Sequence, residues 1–268
     1  MPWRSINQTH AIERVRFTME FKQSVPEKLA GTMSDVLTRL SRDTRLNGPT
    51  PSQAVQIGVR LDPKGRPVLV PPPHRAPHWQ FKRETNDGKT LEVVGVEDDK
   101  IVYEATSYNR WRMFRQRFEK AVLPIVELGA QSLDVDKVTL EFQDRFIFEG
   151  PRGEAAPKDL LVGFDSVLHP DARSGRSMWH LHRGWFEGTP NGDLLINQNF
   201  DAIDVVGADA NEPLRSISVL TKAEARTANY RVDAVPLMQM LDFFHQVTKA
   251  YFSEAVHSSM HNQIGLGS

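Results

Sequence analysis

The sequence predicts an α+β protein: two β-α-β(3–4)-α pseudo-repeats forming an antiparallel sheet with helices packed on one face. Three observations predict it. Strict alternation of apolar and polar residues opens each half, at Arg14–Phe21 and again at Val138–Gln143, the pattern of strands with one buried and one polar face. Long runs of helical periodicity close each half, over about 110–128 and 236–261. The spacing also matches, since Ile12 and Val135 are 123 residues apart and Asn109 and Pro236 are 127 apart, as a tandem duplication requires. The halves are read as 1–130 and 131–268, sharing one core.

In the opening strand Val15, Phe17, Met19 and Phe21 point one way and Arg14, Arg16, Thr18 and Glu20 the other. Ser24-Val25-Pro26-Glu27 reads as a capping box for a helix over 25–41, whose apolar stripe is Leu29, Met33, Val36, Leu37 and Leu40. Eight of the 17 prolines then crowd into 45–78, interrupted by the alternation of Val55, Ile57, Val59 and Leu61. This predicts an edge strand followed by a stiff polyproline-like loop, either a spacer or a docking segment. Strands are expected at 79–85, 90–96 and 101–107, the first two joined through the hairpin signal Asn86-Asp87-Gly88. Asn109 is the expected cap of a long helix burying Trp111, Phe114, Phe118, Val122 and Ile125, kinked at Pro124 because the bond to the Lys120 carbonyl is lost.

The second half repeats the order. Val138, Leu140 and Phe142 alternate against Thr139, Glu141 and Gln143, and a helical stretch at 157–168 follows. Strands are expected at 178–187, 193–201 and 215–223, with Asn191-Gly192-Asp193 as a turn. A closing helix over 236–261 should turn Leu237, Met240, Leu241, Phe244, Val247, Thr248 and Tyr251 inward.

Composition excludes several classes of function. Charged residues at 25% and hydrophobic residues at 40% are ordinary globular values. With 33 Lys and Arg against 34 Asp and Glu, the net charge of −1 leaves no overall field to gather nucleic acid or anionic lipid. The absence of cysteine removes disulfide frameworks, thiolate zinc sites and cysteine nucleophiles. Neither a glycine-rich phosphate loop, a G-x-S-x-G elbow nor an H-E-x-x-H helix occurs. The start lacks a signal-peptide profile and no apolar run reaches a membrane span, so a cytoplasmic protein with no membrane association is expected. The Asn7-Gln8-Thr9 sequon would then be silent, and no cofactor is called for.

Four constellations could carry function. The polar side of the sheet would gather Arg14, Arg16, Glu141 and Gln143, joined from the later strands by His180, His182, Asn197 and Asn199, as a surface for a protein partner. The segment 109–120 carries Arg110, Arg112, Arg115, Arg117 and Lys120 against Glu119, a local charge of +4 that could meet phosphates of a nucleic acid. His180 and His182 share one face of a strand and could chelate a metal if Asp201 or Asp204 supplied a third ligand. His257 and His261, four apart on the closing helix, form a second such pair, and the identity of any metal is open.

Four patches spread over the chain resemble a sporadically distributed family of bacterial proteins with no assigned function. They are AIERVRFTMEF, IVYEATSYNRWRMFRQRFEKAVLPIV, VDKVTLEFQDRFIF and the closing LDFFHQVTKAYFSEAV, in which His245 is followed seven residues later by Phe252. The Pro-rich 45–78 segment stands outside the resemblance. It implies an accessory setting such as a defence or toxin–antitoxin locus, and it supplies no catalytic residues. The leading expectation is a non-catalytic binding or regulatory component acting through a protein partner. The alternatives are a nucleic-acid binder using the Arg-rich helix and a metal-dependent enzyme using His180 and His182; the oligomeric state is open.

Overall fold

The computed structural model describes residues 2–7, 9–51, 58–61, 67–70, 79–189, 192–206, 213–226 and 234–266. The first half contains β1 (Trp3–Ser5), β2 (Ile12–Phe21), α1 (Glu27–Thr44), β3 (Asn47–Pro51), β4 (Gly58–Leu61), β5 (Pro67–Val70), β6 (Trp79–Glu84), β7 (Thr90–Glu97), β8 (Lys100–Ala105), α2 (Trp111–Ala121) and α3 (Leu123–Ser132). The second contains β9 (Val135–Phe148), α4 (Pro170–Arg173), β10 (Trp179–Thr189), β11 (Gly192–Val205), β12 (Leu214–Arg226), α5 (Ala234–Ala255) and α6 (Ser258–His261). The α+β class is as predicted.

One ten-stranded antiparallel sheet runs through the molecule in the order β10-β11-β12-β9-β2-β8-β7-β6-β3, with β1 alongside the end of β9. Its midline is the pair β2–β9, where Phe17 lies opposite Leu140 and Thr18 opposite Thr139. On either side of that midline the last strand of a half lies next to its first: β8 beside β2, and β12 beside β9. The alternation that predicts β2 and β9 also fixes register, because a one-residue slip would turn Phe17 and Leu140 out to water.

All the apolar sets point to one side. Phe17 and Tyr103 meet Phe118 and Phe114 from α2, with Phe17 and Phe118 ring centroids 4.7 Å apart in an edge-to-face contact. Under β11 and β12 a smaller core forms around Phe146, Phe200, Ile217, Phe164 and Met260. Gly129 in α3 lies where a Cβ would come within 2.6 Å of the Phe21 ring, so only glycine lets this helix approach β2.

Several local expectations are corrected. Ser24 does not cap α1; Pro26 occupies the cap position without a side-chain bond, and the Val25 N–H is instead taken by the carbonyl of Asp98, tying the helix entry to the β7–β8 turn. Arg110, not Asn109, is the residue before α2. The kink expected at Pro124 is a full break at Val122, which separates α2 from α3. The stretch 157–168 is not an α-helix: one 3-10 turn at Pro157–Asp159 leads to a β-bridge from Leu161 to Val256, with Gly163 in the left-handed region at φ +81°. The same exchange stops the closing helix at Ala255. The N–H of Val162 bonds the Ala255 carbonyl at 2.9 Å, and the N–H of His257 bonds that of Leu160 at 2.8 Å. Of the proposed edge strand, Gly58–Leu61 pairs with Pro67–Val70 in a separate two-stranded sheet, while Val55 and Ile57 and the turn residue Asn191 lie outside the described residues.

Candidate functional site

On the side away from the helices, the polar positions fall into rows across the strands. Glu104, Arg16, Glu141, Lys222 and Asn197 stand opposite one another through β8, β2, β9, β12 and β11. Arg14 reaches Glu141 at 2.9 Å and Glu104 at 3.4 Å, and Arg16 lies 3.9 Å from the same Glu104. Gln143 and Arg145 both bond Glu13, and Lys137 meets Glu20 at 3.0 Å. The centre of this face therefore neutralises its own charge.

The corner formed by β10 and β11 differs. His180 donates from Nδ1 to Asp201 at 2.6 Å, and His182 pairs with Asn199. Phe186, on the same side of β10, is 73% exposed, and Met178, Ile203 and Val206 are exposed around the other end of the strand pair. On the helix side Arg183 lies over the rings of Phe164, Trp185 and Phe200 and bonds Gln198 at 2.9 Å.

The two metal candidates do not assemble. His180 and His182 are side by side but each is engaged by its own cross-strand partner. Asp204 is held by Arg215 at 2.7 Å and Arg152 at 3.0 Å. His257 caps α6, and His261 sits on the carbonyls of Ser253 and Val256, so the pair does not share a helix face. Among the described residues no three His, Asp or Glu side chains gather as a metal site. The Arg-rich helix is likewise divided. Arg117 turns inward to the buried Glu92 and the Thr44 carbonyl, and Arg115 pairs with Glu119 and Asp242. Arg110, Arg112 and Lys120 remain exposed.

A cleft that the sequence did not announce lies at the midline, between α2 and α5. It encloses about 210 Å³ and is walled by Tyr108, Trp111, Phe142, His245 and Phe252. The Trp111 indole stacks on the His245 ring at 4.3 Å and 5°, and its Nε1 donates to Asp242 at 2.7 Å. Burial, with a smaller contribution from Lys249, lowers the His245 pKa to about 4, so the ring is neutral. At the base is Asp144, on the inward side of β9 between Phe142 and Phe146 and only 2% exposed. No side chain or backbone group among the described residues bonds its carboxyl, and burial pushes its pKa well above the carboxylate range. Burial, and secondarily Asp144, also raises the Tyr108 phenol. The signal was present in the sequence: Asp144 interrupts the inward set Val138, Leu140, Phe142, Phe146 and Phe148.

No helix among the described residues is long and apolar enough to cross a membrane. In comparison with known proteins, no family model matches the chain and no characterised protein is significantly similar to it.

Proposed function

We propose that this is a non-catalytic binding or regulatory protein that acts through a protein partner, docking at the β10–β11 corner. The observation that carries the reading is β10 itself: eleven residues, none of them buried, at the end of the sheet with its outer edge unpaired among the described residues. Proteins normally shorten, charge or cover such an edge, because it is a template for another strand. An incoming segment that adds to β10 would gain main-chain hydrogen bonds there. It would also cover Phe186 while meeting His182 and Asn199 with hydrogen-bonding groups. The self-neutralised rows around Arg14, Arg16, Glu141 and Gln143 would border this contact and contribute shape rather than net attraction.

The division of Arg115 and Arg117 into ion pairs argues against a phosphate-binding stripe along α2. The metal-dependent alternative has only two already engaged histidines in its favour. The resemblance to the sporadic bacterial family supplies the setting of the proposal, a cytoplasmic product of a defence or toxin–antitoxin locus, and a tandem copy of one unit would be its ancestry.

A photo-crosslinking residue at Phe186 tests the reading directly in the host. A discrete protein adduct at that position, competed away by unlabelled protein and absent with the same probe at exposed Lys28, is the expected outcome. Equal labelling at both positions, or none at Phe186, overturns it.

A further inference from the structure

We propose that the midline cleft is a second, small-molecule site, which takes a guanine nucleotide with the base edge on Asp144 and the phosphate at Arg110 and Lys249. This inference stands apart from the partner surface, which lies at the far end of the second half.

The argument begins with the cost of Asp144. A carboxyl on the apolar side of a strand, with no donor supplied by the chain, is held there against desolvation, and its raised pKa reports that deficit. An aspartate serving only the fold would have its hydrogen bonds satisfied. Arg215, the buried cation of the same half, shows the contrast: it donates to Asp204 and to the carbonyls of Gly175 and Ser177. Thr248, one of the hydroxyls in the wall, is already spent on the Phe244 carbonyl at 2.7 Å. A ligand in the cleft would supply the donors that Asp144 lacks.

The walls select the shape of that ligand. Aromatic rings on several sides and a volume under the roughly 300–1,000 Å³ of drug-sized pockets suit one flat ring system. Base recognition by proteins uses such aromatic stacking together with hydrogen bonds to the base edge. The N1–H and exocyclic amine of guanine would bring two parallel donors that favour the ionised carboxylate of Asp144 once bound, whereas adenine offers only its amine. The rim selects the charge. Arg110 and Lys249 line the cleft and are exposed, which gives it two cations to meet a phosphate.

Calorimetric titration of the full chain with GMP, guanosine, AMP and inorganic phosphate decides the matter. GMP is expected to bind, with guanosine and AMP each weaker by about tenfold or more. Asp144→Asn should weaken GMP by at least about tenfold, because an amide cannot accept both N–H bonds. Lys249→Glu, at an exposed position that leaves the core intact, should weaken GMP several-fold and leave guanosine unchanged. It carries the test by itself if Asp144→Asn does not fold. Failure of wild type to bind GMP, phosphate binding as tightly as GMP, AMP equal to GMP, or loss of neither or both ligands in Lys249→Glu overturns the assignment.

Discussion

The two halves share their strand arrangement but differ in what covers it. In the first half the crossover from β2 is the eighteen-residue helix α1, which with α2 and α3 lays a continuous aromatic and aliphatic layer over β2, β8, β7 and β6. In the second half the crossover from β9 is a chain of short turns through 149–176, and α5 alone is long. A helix satisfies its own carbonyls, whereas an irregular segment needs side chains to do it. Arg215 performs that service, buried and bonded to the carbonyls of Gly175 and Ser177. The thinner cover reaches β12 and the inner side of β11, and leaves β10 without a buried residue. The coverage of a sheet thus decides where it remains available to others.

The comparison can be broken most severely from the first half. Phe118→Ala should cost about 4 kcal/mol in urea unfolding, the range for truncating a fully buried aromatic. Phe186→Ala on β10 should change stability by no more than about 0.5 kcal/mol. Next come the buried charges. Arg215→Met and Glu92→Ala should each cost about 3 kcal/mol. Only the first should also open the chain to limited proteolysis at 170–177, since Glu92 is held by Arg83 and Arg117 on regular elements.

Acidity separates two residues of the cleft. Asp144 titrates at higher pH folded than unfolded, so its contribution is fully present below about pH 4 and is lost as pH rises through the folded value. Asp144→Asn should therefore be more stable than wild type at pH 8, with the gap closing toward pH 4 in thermal melts. His245 acts oppositely: its folded pKa of about 4 lies below the ordinary 6.5, so stability is complete above 6.5 and falls as pH drops toward 4. His245→Gln should flatten that acid limb. A small effect also belongs to the polar face, where Arg14→Ala should cost about 1 kcal/mol or less despite its contacts with Glu104 and Glu141.

The elements that were legible in the sequence are those whose burial is one-sided and regular. The alternation from Val15 to Phe21 in β2, that of Val138, Leu140 and Phe142 in β9, and the stripe of α5 each repeat with the period of their structure. The short β1 and the Pro-containing β3 were not predicted, because their pairing with β9 and β6 is imposed by neighbours rather than by local pattern. The helical reading of 157–168 failed for the same reason: Leu160, Leu161 and Phe164 have helical spacing, yet the Leu160 carbonyl accepts from His257 and the Val162 N–H donates to Ala255, around the Leu161–Val256 bridge. On β10, His180 and His182 lie on one side of the strand as expected, but nothing local reveals that Asp201 and Asn199 occupy them. The cleft draws Tyr108, Asp144 and His245 from three distant stretches, so only the lapse in apolar pattern at Asp144 could have hinted at it.

The ladder between β2 and β9 has one further consequence. Because the β2–β9 pairing runs without a register shift from Arg14 to Glu20, the halves cannot swing like jaws without tearing main-chain pairs across the midline. Occupancy beside that ladder would be felt at the distant rim only as a change in the coiling of a single elastic plate, transmitted strand by strand.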